Sequence, residues 1–188
     1  MAYRYFRLTD DAHVPGRWHL RSPRDAAGVE VDPWPFSRGV PISLPGRLNV
    51  PIDRAGTPLD FSLTGLAVPI VHVRVARLLA ELAPEETQSF PVEIQGQAEQ
   101  FCVLVATKTI RCIDNAASKE VELWTPEDGR PEKVGQYRDV YGMRIDPSKV
   151  GDARVFRTWG WTVALIVRED IKDALERIGA TGLSFTEV

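Results

Sequence analysis

The sequence is poor in the residues that advertise chemistry. Its 188 residues include only two cysteines and three histidines. Cys102 and Cys112 stand ten positions apart in strand-like sequence, which fits no zinc motif and builds no disulfide framework. They read as buried, reduced thiols. His13 and His19 fall in loop sequence, and His72 heads a helical pattern. None has an Asp or Cys at ligand spacing, so neither a metal nor any other cofactor is expected. A nucleophile elbow, a zinc-protease histidine pair, a phosphate-cradling glycine loop and a dinucleotide fingerprint are all missing. No apolar run approaches the roughly 20 residues that a membrane-spanning helix needs. The longest, around Trp161–Val167, is the size of a strand. The opening MAYRYFRLTDD has no apolar core of a secretory signal, so a cytoplasmic protein without a membrane partner is expected.

What is present suits a folded, soluble chain. Hydrophobic residues make up 44% and charged residues 26%, enough for one sizeable core. The formal net charge is −3, but it is unevenly spread. Residues 81–132 hold eleven Asp and Glu against four Lys and Arg. Such a segment repels nucleic acid and attracts a basic protein, unless it is simply a solvated face. Adjacent carboxylates at Asp10/Asp11, Glu85/Glu86 and Glu127/Asp128 read as solvated loop pairs rather than general acids. Arginines crowd the N-terminal third, but an isoelectric point near 5.7 speaks against a nucleic-acid groove.

Nine of the fourteen prolines fall in the first 69 residues, which rules out long helices there. Tyr3–Leu8 reads as a short strand with Tyr3, Tyr5 and Phe6 turned inward. Ordered loop follows, anchored by Trp18, Trp34, Phe36 and Leu44. Gly56-Thr57-Pro58 turns the chain into Leu59–Leu66. Val71, Val75, Leu78, Leu79 and Leu82 recur at helical spacing, and Pro84 ends that helix. Phe90–Ile94 and Phe101–Ala106 form a hairpin around Gly96, the second strand running on through Thr109–Ile113. Asp114–Gln136 reads as an exposed insertion with a strand at Val121–Trp124. Trp124 either tucks back onto the core or anchors a partner. Tyr141–Ile145, Val155–Thr158 and Trp161–Val167 read as strands, the last central in a sheet and buried on both faces. Glu169 or Asp170 opens a helix whose inner stripe is Ile171, Leu175 and Ile178. Gly179 stops it, and Gly182 leads into a strand at Leu183–Phe185.

The pattern predicts an α+β fold: a mixed, mainly antiparallel sheet with two main helices packed on it, from Val71–Leu82 and Asp170–Ile178. A proline-rich, loop-dominated N-terminal third wraps it. The whole of 1–188 is expected to be one domain, with residues 1–55 as the wrap and 56–188 as the core.

Three blocks in order, Gly56–Leu79, Phe90–Ser118 and Tyr141–Phe185, carry a resemblance. Their most specific pieces are Arg111-Cys112-Ile113-Asp114, Arg144-Ile145-Asp146-Pro147 and Gly179-Ala180-Thr181-Gly182. The chain resembles immunity protein family eleven of bacterial polymorphic toxin systems, a group common in myxobacteria and other proteobacteria. The resemblance implies an antidote, not an enzyme. Such a protein binds a cognate toxin, commonly the product of a neighbouring gene and in many cases a basic nuclease, and protects the producer and its kin. The family offers no catalytic residues to carry over.

The interface candidates come from the residues themselves. Glu120, Glu122, Glu127 and Asp128 would steer a partner and Trp124 would anchor it. Two other readings remain open on the sequence. One is a small hydrolase or transferase with a dispersed acidic and arginine site. The other is a structural subunit that self-associates through its apolar surface.

Overall fold

The structure, a computed structural model, describes residues 3–44 and 46–188. In chain order its strands are β1 (Tyr5–Asp10), β2 (His19–Leu20), β3 (Leu48–Asn49), β4 (Ile52–Arg54), β5 (Phe61–Leu63), β6 (Pro69–His72), β7 (Thr87–Glu93), β8 (Phe101–Ala106) and β9 (Thr109–Ile110). They continue as β10 (Glu120–Leu123), β11 (Tyr137–Tyr141), β12 (Val155–Thr158), β13 (Trp161–Arg168) and β14 (Leu183–Glu187). Two α-helices, α1 (Val73–Leu82) and α2 (Glu169–Arg177), follow β6 and β13 directly.

The fold is α+β, and its strands form two main sheets. One runs β14-β1-β13-β12-β9 and the other β3-β7-β8-β6-β5. Pairing is antiparallel except at the edges, where β9 joins β12 and β3 joins β7 in parallel. Two small ribbons, β2–β4 and β10–β11, stand beside these sheets.

Side-chain alternation explains the layers. Along β8, Cys102, Leu104 and Ala106 face a core shared with both helices and with Leu165 and Val167 of β13. Phe101, Val103 and Val105 face the opposite way, onto Trp18, Phe36, Leu48 and Val50 of the N-terminal region. All six are buried, because both faces of the strand are covered. β13 behaves likewise, with Ala164 and Ile166 turned to a third cluster around Phe156, Met143 and Ile145. Its central place matches the sequence reading, and so do its two buried faces from Ala164 on, whereas Trp161 and Thr162 are half-buried and Val163 is 36% exposed.

Helix α2 also matches. Glu169 and Asp170 occupy its first turn, where acidic groups suit the positive end of the helix, and Ile171 and Leu175 are fully buried. Gly179 follows it with φ of 62°. At Gly182 (φ 82°) an added Cβ would stand 2.4 Å from the Phe61 carbonyl oxygen, so only glycine fits that crossing.

Several boundaries differ from the sequence reading. Tyr3 lies outside β1 and is 47% exposed, under the Arg168 guanidinium. Val71 belongs to a strand, pairing with Phe61 and Cys102, and α1 begins after His72, whose Nδ1 accepts from the Arg74 N–H. The β8 strand does not run on through Ile113. The chain leaves the second sheet after Ala106, and Thr109–Ile110 joins the first. The strand expected at Tyr141–Ile145 instead ends at Tyr141, where Gly142 takes a φ of 55°. Trp34 is no core anchor. It is 54% exposed on a 3-10 turn (Trp34–Ser37) held down by the buried Phe36.

Candidate protein-binding site

The segment expected to be an exposed insertion is a β-ribbon with an ordered tip. Strand β10 pairs with β11 from Glu120 opposite Tyr141 to Leu123 opposite Tyr137, with an irregularity after Glu122. The expected strand at Val121–Trp124 is thus displaced by one residue. Trp124 closes the ribbon through its backbone: its N–H donates to the Gln136 carbonyl at 2.9 Å, and its carbonyl accepts from Gly135 at 3.0 Å. Beyond it, Thr125 and Asp128 bracket a short 3-10 turn (Pro126–Asp128). The Asp128 carboxylate accepts from the Thr125 N–H at 2.8 Å and from its hydroxyl at 3.1 Å. These bonds, the backbone one first, hold the Asp128 carboxyl below the usual carboxylate range, with Arg138 adding to them. The ribbon is tied to the first sheet where the Tyr137 N–H donates to the Gly160 carbonyl.

The five residues singled out from the sequence do share this ribbon, but not one role. Glu122 and Asp128 both reach Arg138, at 3.4 and 3.0 Å. Glu120 and Glu127 are exposed and form no ion pair among the described residues. Trp124 is half-buried. Lys133 stands over its ring at 5.0 Å and Arg138 at 5.4 Å. Its indole is therefore held by cations rather than embedded in acid.

Trp124 also lines a groove of about 520 Å³ that sequence reasoning did not find. Three separate parts of the chain build it: the turn carrying Trp34 and Arg38, the ribbon from Trp124 to Arg138, and the β12–β13 hairpin at Gly160–Val163. Trp34, Trp124 and Trp161 supply indole surface. Arg38, Arg130, Lys133 and Arg138 supply positive charge, and no Asp or Glu lines it. The only sequence signal for this was local, in the basic residues that follow Trp124 along the ribbon. The remaining parts meet it only through the fold.

The two cysteines are buried, and burial pushes the Cys112 thiol up to about 12 and the Cys102 thiol upward as well. Among the described residues, no three His, Cys, Asp or Glu side chains gather as a metal site would require. No helix among them is long and apolar enough to cross a membrane.

The sequence profile of the immunity protein family Imm11 matches residues 3–188. The chain belongs to that family, the one its three sequence blocks resemble. No curated protein matches the chain.

Proposed function

We propose that this protein is an antidote. It binds the toxin domain of a cognate bacterial toxin without covalent chemistry, neutralises it in the cytoplasm, and so protects the producing cell and its kin. The observation that carries this reading is the family match across residues 3–188. It is supported by a surface suited to gripping a protein. Trp124 sits half-buried on a ribbon held rigid by its own backbone bonds, and aromatic side chains in that setting supply most of the energy of an interface. Glu120, Glu122, Glu127 and Asp128 lie on the same ribbon as this anchor. Of the four, Glu120 and Glu127 have charge to spare for a partner. The surplus of negative charge over residues 81–132 would draw a basic toxin, such as a nuclease, towards this side at long range.

The test is co-expression of the tagged protein with the product of the neighbouring toxin gene, scoring growth and co-purification in the same cells. Rescue of growth together with a defined complex is the expected result. Toxicity that persists, with no complex formed by any neighbouring toxin, would overturn the antidote reading.

A further inference from the structure

The groove beside Trp124 has a charge opposite to that of the acidic 81–132 segment, which supplies only Trp124 and Arg130 to it, and this bears on what it holds. Four cations line it and no carboxylate does. The ribbon's own acids do not cancel them. Glu122 and Asp128 both lie on Arg138, while Arg38, Arg130 and Lys133 have no ion-pair partner among the described residues. Trp34, Trp124 and Trp161 line the same groove. Trp34 is 54% exposed, yet its turn is fixed by the buried Phe36 and by the Asp32 carboxylate, which accepts the Trp34 N–H at 3.1 Å. An exposed aromatic held in this way costs little ordering when it is covered. A volume of about 520 Å³ accommodates one or two large side chains, not a folded surface.

We propose that this groove receives an acidic segment of the partner toxin, with an aromatic or large apolar side chain against Trp34 and Trp161 and flanking carboxylates on Arg38, Arg130 and Lys133. The proposal rests on the antidote reading for the identity of the partner. It is compatible with a toxin that is basic overall, because long-range attraction depends on net charge while the groove reads a few local side chains. Aromatics interleaved with cations also resemble a single-stranded nucleic-acid platform. A net charge of −3, with the exposed Glu127 and Glu132 on the same ribbon, repels a long polyphosphate strand more than a peptide whose few carboxylates are confined to the groove, so a short acidic peptide is the better fit.

The test has two arms. In the first, a fluorescent Glu-Glu-Phe-Glu-Glu peptide, its Lys-Lys-Phe-Lys-Lys counterpart and an oligothymidylate are titrated into the full chain at low and high salt. The acidic peptide should bind, weaken with salt, and lose about tenfold or more in affinity with the Arg130→Glu/Lys133→Glu pair or with Trp34→Ala, while Glu127→Lys does not weaken it. Arg130, Trp34 and Glu127 are exposed and Lys133 is half-buried, and circular dichroism checks that each variant folds. No binding of the acidic peptide, equal binding by the variants, or preference for the basic peptide or the oligothymidylate would overturn the proposal. In the second arm, the same variants are measured against the toxin. A toxin that binds them as tightly as it binds the unaltered chain overturns the groove proposal and leaves the antidote reading standing. A toxin that binds none of them, the unaltered chain included, counts against the antidote reading, and the peptide arm still decides the groove.

Discussion

The Glu86 carboxylate accepts the backbone N–H of Val155 at 2.8 Å, across the gap between the two main sheets. The same oxygen accepts from the Arg154 N–H at 2.8 Å, and the other accepts from Lys108 Nζ at 2.9 Å. Glu86 stands just before β7 of one sheet, and Val155 opens β12 of the other. One buried side chain therefore joins the start of a strand in one sheet to the start of a strand in the other. Glu86→Ala would leave two backbone donors without their acceptor and should cost about 3 kcal/mol. Glu86→Gln keeps one oxygen and should cost less. Urea unfolding reads both, as a lowered midpoint with an unchanged slope. An alanine variant as stable as the parent would show that the sheets are held together by their shared apolar core alone.

Asp60 plays a similar part where it joins Arg74 of α1 to Thr181 beyond α2, and it makes stability depend on pH. Burial would raise its pKa, but hydrogen bonds from Arg74 and from the Thr181 N–H and hydroxyl outweigh burial and bring it down to about 2. A carboxylate whose pKa is lower in the folded state stabilises fully above its unfolded value, near 4, and loses that contribution as pH falls towards about 2. Asp60→Asn should therefore lower Tm at neutral pH. The gap between variant and parent should close as pH drops through this window. A gap of constant size down to the acid limit would mean that the ionised form of Asp60 contributes nothing.

How much of this was legible in the sequence depended on how local the cause was. Helix α2 and strand β13 were readable because their apolar spacing, acidic first turn and terminal Gly179 all lie within one stretch of chain. Val71 misled because it satisfies helical spacing with Val75 and Leu78, yet its pairing with Phe61 and Cys102 makes it strand. The end of β8 misled because crossing to the first sheet depends on a parallel partner, β12, almost fifty residues further on. The site followed the same rule. Trp124 was visible as an odd aromatic in acidic sequence. The groove was not, because Trp34, Arg138 and Trp161 meet only after folding. Counting charge along 81–132 could not show that Glu122 and Asp128 would turn to Arg138.

Trp124 offers a way to separate binding from folding. Its ring is only half-buried and rests under two cations at the surface, so Trp124→Ala should change Tm by no more than a few degrees. Measured against the neutralised toxin by titration calorimetry, the same variant should lose about 2 kcal/mol, roughly a thirtyfold rise in Kd. Arg138→Ala should also leave stability within about 1 kcal/mol of the parent, since its two ion pairs are surface pairs. An unchanged Kd for Trp124→Ala would remove this residue from the interface and move the search to another face.

Arg157 is the least expected residue of the core. It lies on β12 with 1% of its surface exposed, and its Nη1 donates to the Val163 carbonyl at 3.1 Å. Its Nε and Nη2 find no hydrogen-bond partner among the described residues, and no carboxylate pairs with it. Burial, with repulsion from Arg7 added, pushes its pKa down to about 10. A cation whose folded pKa is depressed destabilises the fold at every pH below that value, and the penalty fades only as pH rises from about 10 towards its unfolded value. Replacing it by an apolar side chain of similar length removes the desolvation cost and one hydrogen bond together. Arg157→Met should therefore be neutral or stabilising, by about 1–4 kcal/mol, with a raised urea midpoint at neutral pH. Arg157→Lys should not share the gain, because it keeps the buried charge and loses the planar reach to Val163. A methionine variant that is clearly less stable would show instead that the bond to Val163, at the rim of the tryptophan groove, outweighs the cost of burying the guanidinium.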